Sequence, residues 1–204
     1  MQPSPTSYAL LGLLSLRSWT TYELAQQAQR SLRYLFPRAE RQLYAEAKRL
    51  ADAGLAQSEV TFTGQRRSTT YAITPAGRKA LREWLRKPPA PPVLEAEVLL
   101  RSFFADLGRQ QDLLAALDAA RDQASATQRE LAVFAQSRLD GEAPFHERGS
   151  VVVLAMRFVA DFHRLLEEWT VWAKAQVEAW DQPDGRHWDG ARTVMADIAQ
   201  RGAT

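Results

Sequence analysis

The sequence predicts a mainly α chain with one small β-hairpin, an α+β wing, built in two parts. Three observations carry that expectation. The first 87 of the 204 residues hold 14 Lys/Arg against 6 Asp/Glu, a balance of +8. The rest hold 12 against 18, a balance of −6, and the two give the formal net charge of +2. A proline-rich stretch, KPPAPPV at 87–93, stands where the sign changes. Before it come short helical patterns and one pair of alternating stretches, and after it the apolar spacing of long helices.

The basic part reads element by element. SYALLGLLSL at 7–16 is apolar on more than one face, which predicts a short central helix enclosed by its neighbours. Thr20 and Glu23 have capping-box spacing. A second helix is therefore expected from Thr21 to about Arg30, with Tyr22, Leu24, Ala25 and Ala28 on its core face. Pro37 breaks the chain, and a third helix follows from about Arg38 to Ala53 with Leu43, Ala47 and Leu50 inward. Gly54 stands where a left-handed residue ends a helix, with Leu55 as its apolar partner. Val60 and Phe62, then Tyr71 and Ile73, alternate with polar residues on either side of GQRRS, the pattern of a hairpin with arginines at its tip. Thr74 and Pro75 suit N-cap and N1 of a fourth helix to about Arg86, with Ala76, Leu81, Trp84 and Leu85 as its apolar face.

Helix, helix, helix, hairpin, helix is the order of a winged helix-turn-helix domain, here residues 1–87. In such a module the third helix enters the DNA major groove. Arg38, Arg41, Gln42 and Tyr44 cluster in its first turns. Arginine can read guanine and glutamine adenine by paired hydrogen bonds, so Arg41 and Gln42 are the expected base readers. Tyr44, Lys48 and Arg49 suit phosphate, which positions the protein without specifying sequence. Arg66 and Arg67 on the wing tip suit phosphate or the minor groove. These eight residues are the expected DNA-binding set.

The stretches YALLGLLSL…TYELAQQ, QLYAEAKRLADAGL and RRSTTYAITPAGRKALREWL resemble the PadR family of bacterial transcription regulators, with Tyr71, Thr74, Gly77 and Leu81 in its usual places. The likeness is close over about residues 7–87. VLLRSFFADL is similar to the start of the family's longer C-terminal type. The resemblance implies a winged-helix DNA binder that dimerises through its C-terminal region, with members that respond to drugs or phenolic compounds. Ala39 stands where the family commonly has a small polar residue, and Arg38 and Glu40 are individual to this chain. The operator sequence therefore does not transfer.

Residues 88–93, with Pro88, Pro89, Pro91 and Pro92, read as a semi-rigid linker. Residues 94–180 read as a helical dimerisation domain. Leu94, Val98, Phe103, Phe104 and Leu107 are expected on one side of its first segment. Leu113, Leu117, Ala120, Ala124, Thr127, Leu131 and Phe134 then form a heptad seam. A last long helix from about Ser150 to Trp180 carries Leu154, Phe158, Phe162, Leu165, Trp169, Trp172 and Gln176 along one stripe. Helices this long have little to bury against within one chain, so a homodimer is expected. The alternative is a monomeric antiparallel hairpin. Residues 181–204 read as a loosely held tail with a turn or two of helix near Val194 and Ile198.

Other classes find less support. Cysteine is absent, and His146, His163 and His187 lack metal-ligand spacing, so no metal and no cofactor are expected. Glu167 and Glu168 are adjacent on a helix and point apart, and no nucleophile elbow or phosphate loop occurs. An enzyme is therefore not expected, and neither is a stacking platform for RNA, since Phe62 and Tyr71 read as hairpin core. With no membrane-length apolar run and no leader pattern, the cytoplasm is the expected compartment. The chain is expected to be a dimeric transcription regulator, a repressor on an inverted repeat. Phe162, Leu165, Trp169 and Trp172 form a candidate wall for a small aromatic effector, or simply pack the dimer.

Overall fold

The computed structural model describes residues 3–35, 40–63, 66–180 and 190–201, with the side chains of Thr63 and Arg66 outside that description. The chain divides into two compact units, residues 1–92 and 93–204.

In the first unit, α1 (Pro5–Leu14) starts on Ser4, whose Oγ accepts the Ser7 N–H while Ser7 Oγ accepts the Ser4 N–H. Leu10, Leu11, Leu13 and Leu14 are all buried, as expected for an enclosed helix. The helix α2 (Thr21–Leu32) begins at the expected box: Thr20 Oγ1 accepts the Glu23 N–H at 3.2 Å and Glu23 Oε2 accepts the Thr20 N–H at 2.9 Å. That backbone N–H, with the Thr20 hydroxyl, holds the Glu23 carboxyl below the usual carboxylate range. Leu24, Ala25 and Ala28 are buried, but Tyr22 is 61% exposed and does not belong to the core face. Two residues before Leu24, it lies about 160° away around the axis.

The third helix, α3 (Glu40–Asp52), buries Leu43, Ala47 and Leu50 as expected, and also Glu46. It ends in a Schellman motif, with Leu55 N–H donating to Leu50 O at 2.9 Å and Gly54 N–H to Ala51 O at 2.9 Å. Gly54 has φ +71°, the left-handed value the motif requires. The strands β2 (Ala56–Thr63) and β3 (Arg66–Ile73) form the hairpin. A two-residue strand, β1 (Trp19–Thr20), too short to show any periodicity, completes an antiparallel sheet of order β1-β3-β2. Tyr71 and Ile73 are buried against the helices, but Val60 and Phe62 are exposed. They pair with Thr69 and Arg67 toward the tip, past the part of the sheet that the core covers.

The fourth helix, α4 (Pro75–Leu85), is capped by Thr74, whose Oγ1 accepts the Gly77 N–H at 3.0 Å and donates to Gly54 O at 2.7 Å. Only Gly77 is fully buried on it. Of its expected apolar face, Ala76, Trp84 and Leu85 remain exposed, although Trp84 stacks on Tyr8 with ring centroids 4.8 Å apart.

In the second unit, α5 (Glu97–Phe103) buries Val98 but leaves Phe103 exposed, and Leu94, Phe104 and Leu107 beside it are exposed too. A 3₁₀ turn at Ala105–Leu107 interrupts the single face expected there. Two 30-residue helices follow, α6 (Gln110–Leu139) and α7 (Gly149–Glu178). They run antiparallel, with Gln110 Nε2 donating to Val177 O at 2.6 Å and Lys174 Nζ 2.7 Å from Asp118 Oδ2. The Lys174 bond holds the Asp118 carboxyl below its ordinary range. Leu113, Leu117, Ala124, Thr127 and Leu131 of the heptad seam are buried. At one end, Leu113 and Leu117 cluster with Val98, Ala173 and Val177 of the same chain. The seam is thus used within one chain, as in the antiparallel hairpin, and no longer argues for a second copy. After residues 181–189, which lie outside the described residues, α8 (Gly190–Arg201) runs for 12 residues, more than the turn or two expected.

Candidate nucleic-acid interface

The buried line of α3 decides which side chains face outward. With Leu43, Glu46, Ala47 and Leu50 inward, Arg41, Ala45, Lys48 and Asp52 form the outermost line at about 100° per residue. Arg41, Gln42, Lys48 and Arg49 are exposed and Tyr44 is half-buried. Arg38 lies outside the described residues. Lys48 stands 3.9 Å from Asp52, a loose and solvated pair. Arg49 is engaged differently, with Nη2 2.8 Å from Oε2 of the buried Glu46. On the wing, Arg67 is exposed and pairs across the strands with Phe62, while the Arg66 side chain lies outside the description. Thr21 Oγ1 donates to Thr69 O at 3.1 Å, which ties the first turn of α2 to the wing.

Three residues that the sequence did not assign to this site stand on or directly beneath it. Ala45 is exposed in the middle of the outward line and leaves room for close approach. Tyr22 is exposed at the start of α2. Glu46 is the third, and its place was readable: it is three residues from Leu43 and four from Leu50, on the apolar line.

The four candidate effector residues fall into two columns seven residues apart on α7. Phe162 and Trp169 are half-buried, and Trp169 packs on the cluster shared with α6. Leu165 and Trp172 are exposed, in line with Phe158 and Val151. None of the four bounds the concavity of about 700 Å³ beside Tyr8 and Trp84, or that of about 390 Å³ beside Leu100 and Phe104. His163, next to Phe162, has its imidazole pKa lowered by burial.

The profile of the Transcriptional regulator PadR-like family matches residues 10–83, from α1 through most of α4. The Negative transcriptional regulator PadR of Bacillus subtilis (strain 168) is 30% identical over 127 residues, 61% of this chain and 68% of that protein. The chain belongs to the PadR-like family. Likeness to PadR-like structures extends over the second unit as well. The crystal structure of Bacillus subtilis PadR in complex with operator DNA is 21% identical, with a TM-score of 0.68 over 84% of this chain and 98% of that one. Bacillus subtilis PadR in complex with p-coumaric acid gives a TM-score of 0.63 at 21% identity, over 84% and 98%. A PadR-like chain is a DNA-binding transcription regulator, and the resemblance read from residues 7–87 holds. Its relatives are named as regulators of transcription, not as enzymes. Among the described residues, no helix is long and apolar enough to cross a membrane.

Proposed function

We propose that this PadR-like chain is a cytoplasmic repressor that binds an inverted-repeat operator as a homodimer and is released by a small planar aromatic compound. The observation that carries the reading is the outward face of α3. Arg41, Gln42 and Lys48 stand clear of the core there, and the wing continues the surface with Arg67. Arg41 and Gln42 read bases with Arg38 ahead of them, Tyr44 and Lys48 hold phosphate, and Arg66 with Arg67 grips the flanking backbone. In this reading residues 1–87 bind DNA, 88–93 link and 94–180 dimerise.

Two further observations support the finer points. Val151, Leu154, Phe158, Leu165 and Trp172 leave an exposed apolar line along α7 that a second copy would cover. Paired modules would then meet paired half-sites. For the effector, the p-coumaric acid complex of Bacillus subtilis PadR favours a flat aromatic acid. Phe162, Leu165, Trp169 and Trp172 are its proposed wall.

Selection of bound sequences from random duplex DNA tests the reading. The expected product is an inverted repeat whose half-sites lie one helical turn apart, about 10 base pairs. Enrichment of no sequence would overturn it. Saturable quenching of tryptophan fluorescence by p-coumaric acid, lost in Trp172→Leu and accompanied by weaker operator binding, tests the effector. Quenching without any change in operator affinity leaves a dimeric DNA binder with no effector.

A further inference from the structure

Glu46 is a carboxylate only 3% exposed, on the helix proposed to read DNA. Its Oε1 accepts a short hydrogen bond from Ser7 Oγ and a longer one from Ser4 Oγ at 3.4 Å. Its Oε2 faces Arg49 Nη2 at 2.8 Å. Ser4 and Ser7 are themselves the capping box of α1. The N-terminus of α1 is therefore built onto the middle of α3 through one carboxylate.

Burying a carboxylate is costly even when it is paired, and an apolar residue at 46 would simply extend the line of Leu43, Ala47 and Leu50. What the carboxylate adds is direction. An apolar stripe against an apolar neighbour tolerates small rolls of the helix, whereas hydrogen bonds to two fixed hydroxyls do not. Roll matters on this helix. Side chains stand about 5–6 Å from the axis, so a roll of about 20° moves their tips by about 2 Å, far more than a paired hydrogen bond to a base edge allows.

Arg49 takes its place from the same contact. It lies about 70° from the outermost line, on the flank of Glu46, and its charge is met by a buried carboxylate rather than held out to solvent. We infer that Glu46 is a positioning residue that fixes the roll of α3 for sequence readout, and that Arg49 is its counter-ion rather than a phosphate contact. This rests on the DNA-reading role of α3.

The test uses the full chain, the operator obtained by selection, and an unrelated duplex of the same length, with affinities measured across a salt series. Glu46→Gln should lower the ratio of operator to unrelated affinity by about tenfold or more, with affinity for the unrelated duplex within about twofold of wild type. A purely structural role would lower both affinities together through the folded fraction and leave the ratio unchanged, which would overturn the inference. Glu46→Leu sharpens the reading: it should melt no lower than wild type, yet lose the same discrimination. A Leu variant that keeps full discrimination also overturns it, and if that variant does not fold, Glu46→Gln decides. Arg49→Gln, and the neutral pair Glu46→Gln with Arg49→Gln, should leave the salt slope unchanged. A slope flattened by about 0.9 per protomer would return Arg49 to the phosphate contacts. If the wild type prefers no sequence, the regulator reading falls and this inference with it. If the wild type discriminates and every variant matches it, only this inference falls.

Discussion

At Gly77 the absence of a side chain sets how closely α4 approaches the loop before it. A Cβ there would lie 2.0 Å from the carbonyl oxygen of Leu55. That carbonyl cannot swing aside, because it accepts the Thr74 N–H at 3.1 Å while the Leu55 N–H is bonded to Leu50. Gly77→Ala should therefore destabilise the first unit by about 3 kcal/mol in urea unfolding. A loss under about 1 kcal/mol would show that the loop yields. The outward side chains of α3 behave differently, since they are exposed and take no part in the core. Arg41→Ala should leave the melting temperature unchanged and cost about 1–3 kcal/mol of binding on the selected operator, relaxing one base position. Equal losses on operator and random DNA would move Arg41 to the phosphate contacts.

At the scale of the element, α7 has two faces with different work. One packs on α6 through Ala173, Val177 and Trp169. The other shows Phe158, 70% exposed, and Leu165, 61% exposed, to solvent. Replacing both with Glu should disperse the proposed dimer in sedimentation without loss of helical circular dichroism, because the α6 face is untouched. A variant that still sediments as a dimer would place the interface elsewhere. His163 makes the same helix sensitive to acid. Burial lowers its pKa in the folded chain below the ordinary 6.5, so between those two values the unfolded chain binds more protons. Its contribution is complete above about pH 6.5 and is lost as pH falls through the folded value. The thermal midpoint should fall over that range, and His163→Gln should flatten the fall. An equal fall in the variant would assign it to other groups.

For the whole molecule, the change of charge sign matches the change of unit, with the basic residues concentrated before the proline-rich stretch. Residues 1–92 form a compact unit by themselves. Expressed alone, they should sediment as a monomer and bind a half-site weakly, with about half the salt slope of the full chain, because joining two modules is what supplies avidity. An N-terminal fragment that binds the full inverted repeat as tightly as the whole chain would put the pairing contacts in the first unit.

Local chemistry was legible in the sequence because it acts over three or four residues. The Thr20–Glu23 box, Gly54 with Leu55, Thr74 before Pro75 and the inward line of α3 all depend on spacing alone, and each stands where its spacing put it. The candidate DNA face of α3 followed from that line, as its complement. Tertiary packing decided the rest. Val60 and Phe62 alternate as buried strand residues do, but burial needs an opposing layer, and among the described residues none covers these two side chains. The heptad seam of α6 declares that a helix will pack on it and is silent on whose helix, since one chain or two would bury the same side chains. The stripe along α7 divided for the same reason, Trp169 inward and Leu165 and Trp172 outward. Glu46 lies on the apolar line by spacing, but only the fold brings Ser4 and Ser7, some forty residues away along the chain, to its carboxylate. Periodicity determines which side of an element is apolar, and only the packing of distant elements determines what meets it.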